Sequence, residues 1–289
     1  MTTRCQAVLQ EVMRGAKELP TLPHVIAKIL RMTTSAESSA ADISKLIAND
    51  PALSSRVLRL VNSAFYGFPR KVSNVTRAIV LLGFAKVRNL AVTASVAQMF
   101  TGLERPGEFS FRRYWEHAVA TALASELIAK RVCPARADDA FVVGLLSELG
   151  KAMLAGRAPD LYRKVLAEVN ELEIPVNQAA AQVLECDVAS LGSEIAQYWN
   201  FPELLVQCLK HYRAPQKAPP EYREIAQCVH VADTLAGSLG WLGAGEKFVA
   251  DVDGVALMEL KVDEAGLTQD ANTLLKSYDT SAAVLQMAA

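Results

Sequence analysis

Apolar residues in this chain recur mostly at the spacing of amphipathic α-helices, which leaves little of the sequence for a β-sheet. After Asp50-Pro51, they return every three or four residues and would line one buried helical face: Leu53, Val57, Leu60, Val61 and Ala64. The apolar–polar alternation of a half-buried strand is confined to one weak candidate, residues 247–252. The sequence therefore predicts an all-α fold of many helices.

Capping residues indicate where several of these helices begin and end. Asp50 precedes a proline at the first helical position, where the missing N–H costs nothing. Asn74, Asp138 and Asp187 stand where N-caps are expected, and Gly83 is expected to separate two helices. Besides the helix after Asp50, the predicted helices cover residues 22–33, 40–48, 75–82, 84–99, 111–132, 138–155, 159–171, 176–184, 188–199, 202–211, 221–239 and 271–287.

Composition excludes several classes of protein. The formal net charge of −1 over 289 residues argues against a dedicated nucleic-acid binder. No uninterrupted apolar run approaches the ~20 residues of a membrane span, so a soluble, cytoplasmic protein is expected. The cysteines lack paired or C-x-x-C spacing, which predicts reduced thiols rather than disulfides or a zinc site: Cys5, Cys133, Cys186, Cys208 and Cys228.

Two ordered sets of motifs resemble one known family. The first set contains Asn49-Asp50-Pro51-Ala52-Leu53, Leu60-Val61-Asn62-Ser63-Ala64-Phe65-Tyr66-Gly67 and Leu81-Leu82-Gly83, preceded by Leu19-Pro20-Thr21-Leu22-Pro23. The second set contains Trp115-Glu116-His117, Val143-Gly144-Leu145-Leu146 and Val229-His230-Val231-Ala232-Asp233. Their succession resembles the HDOD domain, the HD-related output domain of the HD metal-dependent phosphohydrolase superfamily.

The resemblance covers about residues 19–239 and implies one HDOD domain followed by a tail. The helical pattern breaks between Thr101 and Ser110, at Gly102, Pro106 and Gly107. We therefore expect an N-terminal helical subdomain at residues 1–105. An HD-like helical subdomain with a C-terminal extension is expected at residues 106–289.

An HD-type metal site takes a His from one helix, a His-Asp pair from a second and an Asp from a third. The resemblance assigns His117 to the first position, Ser147-Glu148 to the pair and Asp233 to the last. A serine hydroxyl is a poor metal ligand, and the extra methylene of glutamate shifts its carboxylate. The sequence thus predicts a degenerate metal site, with no catalytic residue and no cofactor. Two alternatives stay open for His117: a hydrogen bond to a neighbouring helix or to Glu148, and a weak divalent-metal site.

Other possible sites are less specific. His211 and His230 are expected to be structural, and Lys151 either lies near the degenerate site or faces solvent. The chain has no Gly-Tyr-Pro motif, which related cyclic-di-nucleotide phosphodiesterases carry. It also has no G-x-S-x-G, P-loop or G-x-G-x-x-G sequence.

Basic residues are concentrated in the N-terminal half. From residue 51 to 100 there are seven basic side chains and no acidic one. Such runs often face water, yet four of them are candidates for binding an acidic partner or an anion: Arg56, Arg59, Arg70 and Lys71. The nearby Asn62, Tyr66 and Phe68 are candidates either for packing between the subdomains or for an exposed interaction patch.

The resemblance implies a regulatory module of bacterial signal transduction, such as the output domain of a response regulator. Our first hypothesis is a non-catalytic module that binds signalling proteins: a receiver domain, a sensor kinase or a cyclic-di-nucleotide enzyme, with a homodimer as a further option. The second is a metal-dependent phosphohydrolase that acts on a nucleotide or cyclic di-nucleotide through an atypical site. The third is a small-molecule sensor that uses the vestigial cleft.

Overall fold

The computed structural model describes residues 2–16, 22–34, 40–63, 66, 68–100 and 103–286. Within these ranges no β-strand forms, which confirms the all-α fold; one isolated bridge joins Arg105 to Phe109. The α-helices are α1 (Thr3–Ala16), α2 (Leu22–Thr34), α3 (Ala40–Ala48), α4 (Pro51–Val61), α5 (Val75–Leu82), α6 (Phe84–Phe100), α7 (Phe111–Val132), α8 (Ala137–Leu146), α9 (Leu149–Arg157), α10 (Pro159–Leu172), α11 (Val176–Leu184), α12 (Val188–Tyr198), α13 (Glu203–His211), α14 (Pro220–Ser238), α15 (Gly254–Glu259) and α16 (Glu264–Gln286).

Local capping sets the helix starts that the sequence predicts. The Asp50 carboxylate accepts a hydrogen bond from the backbone N–H of Leu53 at 2.9 Å, and Pro51 opens α4. Asn74 likewise accepts from the N–H of Arg77 at 2.8 Å. The predicted bounds of α3, α5, α7 and α11 are confirmed without change.

α6 is the central helix of the N-terminal half. It is buried around most of its circumference, because α2, α4 and α5 pack on it and α8 of the second half closes its remaining side. Polar contacts reinforce this junction. Arg88 lies 3.2 Å from Asp139, and the Asn89 side-chain amide donates to Asp138 at 3.0 Å. The two halves therefore meet along α6 and α8.

α7 is the central helix of the second half. It packs against α8, α14 and α16, while α12 packs against α9 and α13. Side chains on the inward faces of α7, α8 and α14 are almost all buried. Any polar residue on these faces consequently lies inside the core and needs a partner there.

α1 departs from the sequence-based expectations in two ways. No helix was predicted there, although Thr3–Ala16 is helical and packs on α9, α11 and α12 of the second half. The prediction of reduced thiols is also wrong for two cysteines, because Cys5 of α1 forms a disulfide with Cys186, with Cα atoms 4.9 Å apart. A pair separated by 181 positions leaves no local spacing signal. Cys133, Cys208 and Cys228 are buried free thiols.

Three local predictions are corrected. The single helix predicted at residues 138–155 is two helices, because Ser147 and Glu148 form a turn between α8 and α9. Asp138 is not an N-cap but lies within the first turn of α8, where it accepts from Asn89; Asp187 does cap α12. Residues 247–252 form no strand but belong to an irregular segment in which Phe248 and Val252 pack against the core.

Some predicted features fall on positions that the structure does not describe. Residues 19–21, 64, 65 and 67 of the family-like motifs, and residues 101 and 102 of the predicted break, lie outside the described ranges. The boundary at residue 105 stays a prediction. Among the described residues, no helix is both long enough and apolar enough to cross a bilayer.

Candidate functional site

The packing of α7 against α8 and α14 brings three of the four predicted site residues together. His117 lies on α7, Glu148 in the turn before α9 and Asp233 on α14, and all three are buried. Each offers one potential ligand atom, and these atoms lie within 4.8 Å of one another. The fourth residue, Ser147, donates its hydroxyl to the Gly144 carbonyl at 2.8 Å and is not part of this group.

His117 is held between two hydrogen-bond acceptors. Its Nε2 lies 3.0 Å from Oδ1 of Asp233, and its Nδ1 lies 2.6 Å from the carbonyl oxygen of Trp241. A backbone carbonyl and a carboxylate can only accept hydrogen bonds. Both ring nitrogens are therefore best satisfied as donors, which is the arrangement of a positively charged imidazolium.

Two further cations reach the same carboxylates. One guanidinium nitrogen of Arg213 lies 3.2 Å from Glu148 and the other lies 3.5 Å from Asp233. The Lys151 ammonium pairs with Glu148 and also with Oε1 of Glu246, at 2.8 Å. The result is a buried charge cluster in which three cationic groups face three carboxylates: His117, Lys151 and Arg213, with Glu148, Asp233 and Glu246.

Neighbouring charges favour the charged forms of five groups in the charge cluster: His117, Glu148, Lys151, Arg213 and Asp233. Burial opposes protonation of His117, but the hydrogen bond and charge of Asp233 outweigh it and raise the His117 pKa. Burial alone would raise the pKa of both carboxyls. The charges of Arg213 and His117 nevertheless lower the pKa of Asp233. Those of Lys151 and His117 lower the pKa of Glu148. The pKa values of Lys151 and Arg213 are raised by the same carboxylates against the effect of burial.

Residues 241–250, here called the covering loop, close the charge cluster from outside. Trp241 accepts the bond from His117, and the Ala244 carbonyl accepts a hydrogen bond from Tyr162 Oη at 3.0 Å. Gly243 lies so close that a Cβ there would come within 2.9 Å of a Glu148 carboxylate oxygen and 3.2 Å of Lys151 Nζ. The cavity left beneath the loop is about 20 Å³, room for roughly one water molecule.

The other predicted histidines lie outside the charge cluster. The Nε2 of His230 accepts a hydrogen bond from the backbone N–H of Asp253 at 2.9 Å, and burial lowers the His230 pKa. His211, at the end of α13, is partly exposed, and partial burial lowers its pKa. The bond to Asp253 gives His230 a local structural contact.

The predicted basic side chains lie on α4 and on the segment that follows it. Arg59, Arg70 and Lys71 are exposed and Arg56 is half-buried. Among the described residues, none of the four forms an ion pair with an acidic side chain. We call these four residues the basic surface; it is separate from the charge cluster.

The Asn62 side chain forms three hydrogen bonds that hold the segment after α4 in place. Its side-chain amide donates to the carbonyls of Leu58 and Val72 and accepts from the N–H of Val72, with distances of 2.7 to 2.8 Å. The rings of Tyr66 and Phe68 stack with centroids 6.2 Å apart. Burial, and then the charge of Glu126 on α7, raise the pKa of Tyr66 to about 12. Tyr66 and Phe68 are partly buried and pack against the hydrophobic core.

Sequence reasoning did not single out two members of the charge cluster, Arg213 and Glu246. Arg213 follows α13, and Glu246 lies in a segment without regular structure, so neither belongs to a motif with fixed spacing. One indirect signal exists. Two carboxylates and a histidine predicted to meet inside a helical core require compensating charges.

An all-helical fold in which α7, α14 and the turn between α8 and α9 bring a histidine and two carboxylates together is that of an HD-like helical protein. The chain belongs to the HDOD domain family, whose model matches residues 19–215. This confirms the family that the sequence motifs indicated.

Solved structures share the fold over nearly the whole chain. An HDOD domain protein of unknown function from Geobacter sulfurreducens is 23% identical, with 98% of each chain covered and a TM-score of 0.80. A protein from Shewanella amazonensis SB2B, provisionally assigned as a phosphohydrolase, is 26% identical, with 98% of each chain covered and a TM-score of 0.73.

An uncharacterized protein of Treponema pallidum is 25% identical over 217 residues, which are 75% of this chain and 42% of that protein. The match thus spans less than half of that relative.

Proposed function

We propose that this chain is a non-catalytic regulatory module of bacterial signal transduction that acts by binding other proteins. Membership of the HDOD family supports the signalling role. The proposal that the module is non-catalytic rests on one observation. The buried cations Lys151 and Arg213 pair with Glu148 and Asp233, the carboxylates that an HD-type metal site would use as ligands. A cytoplasmic location stays a prediction.

A divalent metal fits the charge cluster poorly. A metal-binding imidazole needs a free lone pair, whereas both nitrogens of His117 face acceptors. The ammonium of Lys151 and the guanidinium of Arg213 would lie beside the metal and repel it. A bound divalent metal can lower the pKa of its water to about 7 and so supply a hydroxide nucleophile at neutral pH. A cluster whose carboxylates pair with side-chain cations instead of a metal would lack this metal-bound hydroxide.

Metal analysis tests the non-catalytic assignment. The whole chain, purified without chelator and then dialysed against Mn²⁺, should contain far less than one metal ion per molecule by elemental mass spectrometry. Near-stoichiometric metal that disappears in both His117→Ala and Asp233→Ala would overturn the assignment. A matched variant of an exposed histidine, His24→Ala, controls for metal bound at the surface.

The basic surface is our candidate for the partner-binding face. Its exposed guanidinium and ammonium groups suit an acidic protein surface, since opposite charges across an interface speed association and select partners. Signalling proteins such as receiver domains, sensor kinases or cyclic-di-nucleotide enzymes, or a second copy of this chain, are the expected partners. Neither a membrane nor a nucleic acid is expected.

Charge reversal tests the basic surface. A variant carrying Arg59→Glu, Arg70→Glu and Lys71→Glu should recover less partner in a pull-down than the parent chain does. The control is Arg112→Glu, which reverses an exposed charge on α7 that does not belong to the basic surface. Equal recovery by the triple variant and the control would remove the basic surface from consideration.

A metal-dependent phosphohydrolase is the second candidate. Two observations favour it: the potential ligand atoms of His117, Glu148 and Asp233 lie within 4.8 Å, and the Shewanella relative is provisionally assigned as a phosphohydrolase. Mn²⁺-dependent hydrolysis of a chromogenic phosphodiester, abolished in His117→Ala, would establish this activity. Absence of turnover at all metal concentrations would leave the regulatory module as the better account.

A further inference from the structure

Glu246 of the covering loop separates two cavities. It lines the small cavity above the charge cluster, and it also lines a pocket of about 270 Å³ that opens at the molecular surface. This pocket, here called the outer pocket, lies between α10, the start of α7 and the segment before α7. Glu246 is thus shared by the outer pocket and the small cavity.

The contacts of Glu246 are those that proteins commonly give to bound anions. One carboxylate oxygen pairs with the Lys151 ammonium at 2.8 Å, and the other accepts a hydrogen bond from the backbone N–H of Val176 at 3.0 Å. A buried lysine combined with a backbone N–H also binds phosphate and carboxylate ligands. Glu246 is itself 8% exposed, so this anion position is shielded from water.

Displacement of Glu246 would not unwind a helix. The loop has no regular secondary structure, and Gly245 next to Glu246 has a φ of 77°, in the region that favours glycine. Lys151 also keeps its second carboxylate, Glu148, when Glu246 leaves. Displacement therefore exposes a cation without leaving it unpaired in the core.

We propose that Glu246 occupies the binding position of a small phosphate-bearing anion, which enters through the outer pocket and displaces it. The anion takes over the contacts with Lys151 and with the N–H of Val176, and the covering loop moves outward. Binding thereby exchanges an internal carboxylate for an external phosphate and opens the loop. This site is distinct from the basic surface and does not depend on partner binding.

Charge and size select the class of ligand. The outer pocket carries three cationic side chains, Arg105, Arg113 and Lys247. Its other acidic members are Glu104, which accepts from the N–H of Phe111, and Glu108, which pairs with Arg163. The volume lies below the roughly 300–1,000 Å³ of drug-sized sites. Inorganic phosphate or a small phosphomonoester fits, whereas a dinucleotide exceeds the space.

The experiment uses the whole chain and inorganic phosphate at constant ionic strength. Glu246→Gln removes the competing charge but keeps the side-chain volume, so calorimetric titration should give a Kd about tenfold lower than that of the parent, because less binding energy is spent on opening the loop. In the parent chain, phosphate should accelerate hydrogen exchange in peptides covering residues 241–250, since the loop leaves its place.

Glu108→Gln is the matched control, because it removes a carboxylate from the same pocket that does not contact Lys151. Its phosphate affinity should stay within twofold of the parent value. The proposal fails if Glu246→Gln binds phosphate no more tightly than the parent does, or if Glu108→Gln gains as much. It also fails if Glu246→Gln takes up Mn²⁺ instead of phosphate. These outcomes leave the test of the partner surface unaffected.

Discussion

Arg213 lies 3.2 Å from Glu148 in the core, although 65 positions separate them in the sequence. The same guanidinium lies 3.5 Å from Asp233, so one side chain neutralises two buried carboxylates. Removal of one member of such a group leaves the others charged and without compensation in a medium of low polarity. Loss of the Arg213 guanidinium is therefore expected to destabilise the fold.

Arg213→Met should be strongly destabilising. The loss of the guanidinium leaves Glu148 and Asp233 short of a cation, and breaking a buried pair typically costs about 3–5 kcal/mol of unfolding free energy. Urea unfolding followed by circular dichroism measures the change. Arg70→Met, which removes an exposed cation, should change stability by less than about 0.5 kcal/mol. Equal stability of the two variants would contradict a structural role for Arg213.

His117 should make stability depend on pH. Burial tends to lower its pKa, but Asp233 raises it above the ordinary value of 6.5. A raised folded-state pKa gives stability that is fully present below about pH 6.5 and is lost as the pH rises through the folded value. The difference in unfolding free energy between the parent and His117→Gln should accordingly shrink above pH 6.5. His24→Gln, at an exposed position, should leave the profile unchanged; a difference that grows with pH would refute an imidazolium.

Gly150→Ala should push two helices apart. A Cβ at Gly150 of α9 would lie 1.9 Å from the carbonyl oxygen of Val188 and 2.6 Å from the backbone nitrogen of Gly192, both in α12. Backbone atoms cannot rotate away, so we expect a loss of about 1–3 kcal/mol or more. Differential scanning calorimetry measures it. Gly254→Ala, where a Cβ meets nothing within 4 Å, is the control. Matching melting temperatures for the two variants would show that α9 and α12 can separate freely.

Asn62 provides a test of the chain that follows α4. Asn62→Ala removes two donated hydrogen bonds and one accepted bond, and it leaves the N–H of Val72 without that partner. A cost of about 1–3 kcal/mol in unfolding free energy is expected. Asn62→Asp keeps the acceptor for Val72 but loses both donors, so it should also destabilise. Asn49→Ala, at an exposed position, should be nearly neutral in the same urea titration.

The fold could be predicted from the sequence because its signals are local. Asp50 and Asn74 bond to N–H groups three residues away, so a short window of sequence contains both partners. The turn at Ser147 was missed because α8 and α9 share one continuous apolar pattern. The hydroxyl of Ser147, bonded one turn back to Gly144, gives no warning in the pattern.

The candidate site could be predicted only in part, for the opposite reason. The family motifs identified His117, Glu148 and Asp233, yet the cations that neutralise them come from elsewhere. Lys151 lies on α9, three residues after its first partner, Glu148. Its second partner, Glu246, is 95 positions away. Contacts over such distances depend on how helices pack, and no periodicity in the sequence encodes them.

The bond between Cys5 and Cys186 closes the polypeptide between them into a ring that contains α2 to α11. A protease that cuts one peptide bond inside this ring would not release a fragment, because both pieces remain joined through sulfur. Its product would keep the parent mass plus one water until a thiol reductant divides it. A single cut in the backbone within this ring therefore does not divide the molecule in two.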